Sequence, residues 1–207
     1  MLLHDAEKRA RWLCDVLSDG AERIEIAGSI RRGKPEVKDI EIVVIPRFEQ
    51  RAGTGQIGLG APLPTVRVNL LSERVEALGS GLVQPIKPGT HEVIPWHLAD
   101  DGAYWRIWLP ADEVKVDVFL CNPETWGLNY LIRTGSADFS RAVLMRWKAI
   151  SGGGRSDGLR LTWPDGRHEP APEETDVFRV CRMEWVIPSR RVDEMAAVRA
   201  QKPAVAS

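Results

Sequence analysis

Ala27-Gly28-Ser29-Ile30-Arg31-Arg32-Gly33, closely followed by Val37-Lys38-Asp39-Ile40-Glu41-Ile42-Val43-Val44, decides how the rest of the chain is read. The pattern predicts a strand, a tight Gly-Ser turn, a short basic segment and a second strand. Side chains two apart on a strand leave the same face. Asp39 and Glu41 therefore project together, while Ile40 and Ile42 enter a core. Two carboxylates about 4 Å apart at an effective dielectric of about 20 repel by roughly 4 kcal/mol. A divalent cation between them relieves that repulsion. Farther along, Val114-Lys115-Val116-Asp117-Val118-Phe119-Leu120 alternates with period two and brings Asp117 from a neighbouring strand. Three carboxylates from two strands suit one or two Mg²⁺ ions, which take oxygen ligands and keep positions open for phosphate. Gly28 and Ser29 offer turn N–H groups to phosphate, and Arg31 and Arg32 offer positive charge.

Composition bounds the alternatives. With 207 residues the chain forms one large or two small domains, and 43% apolar content supports a packed core. A net charge of −1 gives no bulk signal for nucleic acid. Cys14, Cys121 and Cys181 are scattered and lack metal-ligand spacing, so they read as reduced thiols. No apolar run approaches the ~18 residues a membrane span needs, and no signal-peptide pattern opens the chain. The expectation is a cytoplasmic, soluble monomer with no membrane contact. The eight Trp read as packing residues.

Residues 2–18 carry Leu3, Ala6, Ala10, Leu13 and Leu17 at helical spacing, stopped by Asp19-Gly20. Strands are expected at 23–28 and 38–46. Residues 47–65, rich in Gly, Pro and Arg, read as a mobile loop. A helix is expected at 68–79, and strands at 82–87, 104–109 and 113–120. His91, Trp96 and His97 fall in the connecting loop; two His without a Cys partner make a poor metal site. After Cys121-Asn122-Pro123 come a helix at about 138–150, short strands around 158–163, and a last helix at about 174–182. Residues 192–207 read as a disordered tail.

The Gly-Ser turn followed by Asp-x-Glu resembles the nucleotidyltransferase superfamily. The longer string, with Asp39 six residues after Gly33, is similar to the family X DNA polymerases, the polymerase β relatives. Thr134-Gly135-Ser136 before a helix, the late acidic helix start, and Trp185-x-x-Pro188-x-x-Arg191 follow in the order of that family. The resemblance covers residues 1–191. It implies an α+β chain: a nucleotidyltransferase palm at 1–122, with a twisted mixed or antiparallel sheet and helices on one side, then a small α+β thumb at 123–191.

By the same likeness, Asp39, Glu41 and Asp117 would bind two Mg²⁺, with Mn²⁺ as a substitute, and Asp117 would sit by a primer 3′-hydroxyl. Gly28, Ser29 and Arg32 would hold the β/γ-phosphates of a dNTP. Thr134, Gly135 and Ser136 would pass the sugar, and Ser140 would face the new base pair. Lys115, Arg141, Arg155 and Arg160 would touch DNA, although a solvated surface fits Arg141, Arg155, Arg160 and Arg167 equally. Arg31 reads as solvated surface. Two departures stand out: Glu41 replaces the family's usual second Asp, and Ile132-Arg133 stand where two aromatics are common. The chain offers no room for the family's lyase domain, so no lyase activity is expected, as in the shortest viral members. The implied function is a DNA-directed DNA polymerase that fills short gaps on primer-template or gapped duplex in repair. The alternatives are a template-independent terminal transferase or a transferase to a non-DNA acceptor and, from another class, a catalytically weak DNA-end-binding protein.

Overall fold

The computed structural model describes residues 1–53, 65–87, 89–94 and 104–202. Helix α1 (Leu3–Leu17) forms where apolar residues recur every three or four positions, and Ala6, Ala10, Leu13 and Leu17 make its buried stripe. Strand β1 (Ala21–Ile26), the one-turn helix α2 (Gly28–Arg31) and strand β2 (Ile40–Pro46) follow. The Gly-Ser segment, expected as a tight turn, is thus the start of a helical turn. Strands β3 (Phe48–Ala52) and β4 (Thr65–Asn69) pair antiparallel, and helix α3 (Leu70–Leu78) starts on the Asn69 side chain, which accepts from the Leu71 and Ser72 N–H groups. Both ends of the expected 47–65 loop are therefore strand. All of β3 is exposed, so it carries no apolar alternation to reveal it. The middle of that loop, Trp96 and His97 lie outside the described residues.

Strands β5 (Gln84–Pro85), β6 (Tyr104–Leu109) and β7 (Val114–Leu120) complete a five-stranded mixed sheet in the order β1-β2-β7-β6-β5. Strands β2 and β7 run parallel and the other pairs antiparallel. Ile40, Ile42, Val44, Trp105, Ile107, Val116 and Val118 fill one face beneath α1 and α3. On the other face Val43, Ile45 and Phe119 pack with Ala27 and the fully buried Trp126. Trp126 opens helix α4 (Trp126–Thr134), a helix from the following segment that covers part of the second face.

The rest of the chain builds its own core. Helix α5 (Ala137–Ile150) is capped by Ser136 Oγ, which accepts from Phe139 N at 3.1 Å. Strands β8 (Arg155–Ser156), β9 (Leu161–Thr162) and β10 (His168–Glu169) form a small antiparallel sheet. Helix α6 (Glu174–Val180) opens on a Glu173/Asp176 capping box. Helix α7 (Glu194–Arg199) lies in the stretch expected to be disordered; Ala197 and Ala200 are buried against the same core as Leu131, Phe139 and Trp147. Their small side chains gave little hydrophobic signal. Among the described residues, no helix is long and apolar enough to cross a membrane. The three cysteines are free, and burial pushes each thiol up to about 12.

A charged network staples the two units together. Arg31 Nη2 and Nη1 donate to the Glu174 carboxylate at 2.8 and 3.0 Å, and Nη1 also donates to Thr134 Oγ1 at 2.8 Å. Its guanidinium lies 3.7 Å from the Tyr130 ring centroid. Arg191, with no exposed surface, donates to the same Glu174 and, through Nε, to Val186 O at 2.7 Å. Arg31 is therefore a structural bridge rather than solvated surface. Two arginines share one buried carboxylate, which spares each the cost of several kcal/mol that a lone buried charge would carry, although the trio keeps a net charge of +1.

Candidate active site

The site begins with strand register. Glu41 of β2 sits directly beside Asp117 of β7, and Asp117 in turn faces Arg106 of β6. Neighbours in register share a face, so Glu41, Asp117, Arg106 and Tyr104 project to the side opposite α1 and α3, while Asp39, in the bend just before β2, adds its charge to Glu41. That face is open because α4 covers only its far end, over Val43, Ile45 and Phe119.

The glycine of α2 explains the close approach of this turn to the strand. Gly28 has φ +62°, and a Cβ there would lie 2.0 Å from Glu41 Oε2. Only glycine lets the backbone press against the carboxylate. The first turn of a helix also leaves its leading N–H groups without intrahelical acceptors. Ser29 Oγ beside them is buried and unpaired.

Glu41 feels the crowding most. Burial, then Asp39, then Asp117 raise its carboxyl to about 7, while Arg32 and Arg133 pull the other way. Burial lowers the Arg32 and Arg133 guanidinium pKa values, opposed by Glu41 in both cases. Arg32 Nη1 donates to the backbone carbonyls of Thr134 and Gly135, the latter at 3.0 Å, and its Nε is left without a partner.

Asp117 is held differently. Arg106 Nε donates to Oδ1 at 2.6 Å and Nη2 to Oδ2 at 2.8 Å; Tyr104 Oη donates to Oδ1 at 2.8 Å. The hydrogen bond to Asp117 pushes the Arg106 pKa up, and burial followed by the same carboxylate pushes the Tyr104 phenol up. A bidentate arginine is the strongest neutralising partner a carboxylate finds in a protein. It occupies Asp117 on the β6 side, and among the described residues no three His, Cys, Asp or Glu converge closely enough to hold a metal ion. In donor chemistry the three carboxylates suit a hard, oxygen-seeking divalent cation, although in this arrangement they do not converge on one point. Engaging Asp117 in such a site means exchanging Arg106 for the cation.

Beside Glu41 opens a cavity of about 740 Å³ between α2 and the α4–α5 junction. Arg32, Lys34, Arg133, Gly135, Ser136 and Arg141 are among its lining, with Glu41 the one carboxylate. Of the expected nucleotide residues, Arg32, Gly135, Ser136 and Ser140 line it. Ser140 is buried and donates to Ile132 O at 3.2 Å, and Ser136 caps α5, so both hydroxyls already have partners. Thr134 is fully buried, its hydroxyl accepting from Arg31, and its side chain faces the core. Gly28 and Ser29 lie behind Glu41. Of the expected DNA contacts, Lys115 is half-buried opposite Trp108, at the same face as Asp117. Arg141 pairs with Asp138 at 3.0 Å and Arg167 with Asp165 at 2.7 Å. Arg155 and Arg160 are exposed on the β8–β9 ribbon, away from the carboxylates in sequence and sheet. His91 stands edge-on to Trp108, 5.5 Å between centroids.

Sequence reasoning did not foresee the roles of Tyr104 and Arg106. Their signal was present: Tyr104-Trp105-Arg106-Ile107-Trp108 alternates, and pairing β6 antiparallel to β7 puts the odd charge on the carboxylate face. Arg133 was noted only as a departure. No protein-family model matches this sequence, and no curated protein matches it.

Proposed function

We propose that this chain is a nucleotidyltransferase of the palm-and-thumb kind, a template-directed DNA polymerase that adds dNTP-derived nucleotides to a primer 3′-hydroxyl. The observation that carries the reading is the Glu41–Asp117 register pair, with Asp39 near enough to raise the Glu41 carboxyl, set beside a cavity lined with basic side chains. Glu41 among the basic side chains of the cavity, with Asp117 beside it on the sheet, suits a substrate with a triphosphate and a divalent cation. In this reading the five-stranded unit is the palm and residues 123 onward the thumb.

Bound Mg²⁺ would supply Lewis-acid charge at the attacking hydroxyl and at the departing pyrophosphate. Asp39, Glu41 and Asp117 would hold it. The chain's own residues do the remaining work by position and charge. Asp117, released from Arg106, is the carboxylate that would receive the proton of the 3′-hydroxyl. Arg32, its Nε unsatisfied, is placed to donate to the triphosphate and so balance the charge that builds on the leaving group. Gly135 opens the cavity for the sugar, since a Cβ there would lie 2.7 Å from Ser140 Oγ. The Arg31–Glu174–Arg191 network fixes the thumb against α2, which keeps Arg32 and the α4–α5 junction in register.

The test is extension of a labelled primer on a one-nucleotide gap and as a lone single strand, each nucleotide supplied separately. Insertion of the complementary nucleotide on the gap supports templated synthesis. Indiscriminate extension of the single strand replaces it with terminal transfer. Silence on both, with nucleotide binding intact, moves the acceptor away from DNA.

A further inference from the structure

Arg133 has no assigned work in that reading, and its placement is costly. It is half-buried at the end of α4, with its guanidinium stacked 3.8 Å from the Phe119 ring centroid. That platform aims it at the cavity it lines with Arg32 and Glu41. Its Nε is buried and unpaired, as is the Nε of Arg32. Among the described residues no ion pair includes it, although Glu41, then Tyr104 and Asp117, act on its charge. Burial acts against its charge, and those carboxylates only partly offset the cost. A desolvated cation stacked on a ring and lacking a hydrogen-bonded counter-ion is poised for an anion that arrives from outside.

Resting on the nucleotidyltransferase reading, we propose that Arg133 is a second phosphate-binding and specificity residue: it reaches from the α4–α5 side to the polyphosphate of the incoming nucleotide, beside Arg32. The pair acts as a clamp with one arm on each structural unit, so the bound polyphosphate bridges them. Arg32 is tied to the Thr134 and Gly135 carbonyls, next to Arg133 in the chain, so the two arms are held at a set separation. Recognition runs through phosphate charge rather than through the base. The Phe119 stack fixes the plane of the fork, and a lysine, which lacks that fork, reproduces only part of it.

Isothermal titration of the full chain tests this, in Mg²⁺ buffer without primer, so that no turnover occurs. The probes are dATP and inorganic tripolyphosphate, the proteins wild type, Arg133→Met and Arg133→Lys. A hydrogen bond to a charged group carries enough energy for a roughly tenfold or larger loss. Arg133→Met is expected to weaken both probes by at least about tenfold, and Arg133→Lys to recover part of the loss. If Arg133→Met fails to fold by thermal unfolding, Arg133→Gln takes its place with the same expectation. Binding within about twofold of wild type in the uncharged variant overturns the clamp while leaving the broader reading intact. A loss for dATP but not for tripolyphosphate also overturns it, because the contact then lies on sugar or base. A wild-type chain that binds neither probe removes the nucleotidyltransferase reading, and the clamp falls with it.

Discussion

Replacing Glu41 by Gln isolates the electrostatic strain at the centre of the site. Burial and two neighbouring carboxylates move the Glu41 carboxyl from an ordinary 4.5 to about 7. Below pH 4.5 the group is neutral in folded and unfolded chains, and the crowding costs nothing. As pH rises through the window between 4.5 and about 7, the unfolded chain releases its proton first, so the folded state binds more protons and loses stability. Above that window the cost is complete. At about 1.4 kcal/mol per pH unit the full gap corresponds to about 3 kcal/mol, which solvent at the partly open rim reduces to about 2 kcal/mol. Glu41→Gln keeps the shape and removes the charge. In EDTA, urea unfolding at pH 8 is therefore expected to show the variant more stable by about 2 kcal/mol, with the difference gone at pH 4. Mg²⁺ added at pH 8 should stabilise the wild type and leave the variant unmoved. Equal stabilities at pH 8, or a gain of the same size at both pH values, would refute the crowding argument.

Other consequences follow from the same contacts. Arg106→Met frees Asp117 from its bidentate partner; the apo protein should then bind Mn²⁺ several-fold more tightly, read by electron paramagnetic resonance of the free ion, and unchanged affinity would show that Arg106 does not compete. Glu174→Gln leaves the buried Arg191 and Arg31 guanidinium groups without a charged partner, so the midpoint of urea unfolding should fall by the equivalent of about 3 kcal/mol; a loss below about 1 kcal/mol would mean that the staple is not structural. Gly28→Ala puts a methyl group into the Glu41 carboxylate at a backbone angle of +62°, so nucleotide transfer should drop and thermal stability should fall by about 1–3 kcal/mol. A variant as stable and active as wild type would show that the close approach is unnecessary.

Helices α1 and α3 were legible from their apolar period, and strands β2 and β7 from short β-branched runs, apolar enough to be buried on both faces. The shared face of Glu41 and Asp117 appears in the β2–β7 register, whereas Asp39, expected on the same strand, lies in the bend before it. Arg106 was not legible, because its partner is fixed by the antiparallel register of β6 on β7, which no local pattern states. Arg31 misled for a related reason. An arginine in a basic run looks solvated, and its burial depends on Glu174, far away in the chain. Strand β3 is exposed along its whole length and α7 is built on alanines, so neither carries the hydrophobic contrast that sequence reading relies on.

The most direct test of the central claim couples product to the carboxylate site. Single-turnover incorporation on a one-nucleotide gap, with pyrophosphate release followed alongside, is measured for the wild type and for Asp117→Asn, whose fold is checked by circular dichroism. The account predicts insertion of the complementary nucleotide with equimolar pyrophosphate in the wild type and loss of both in the variant. Comparable incorporation by the two proteins, or none by a folded wild type on any DNA acceptor, would contradict it.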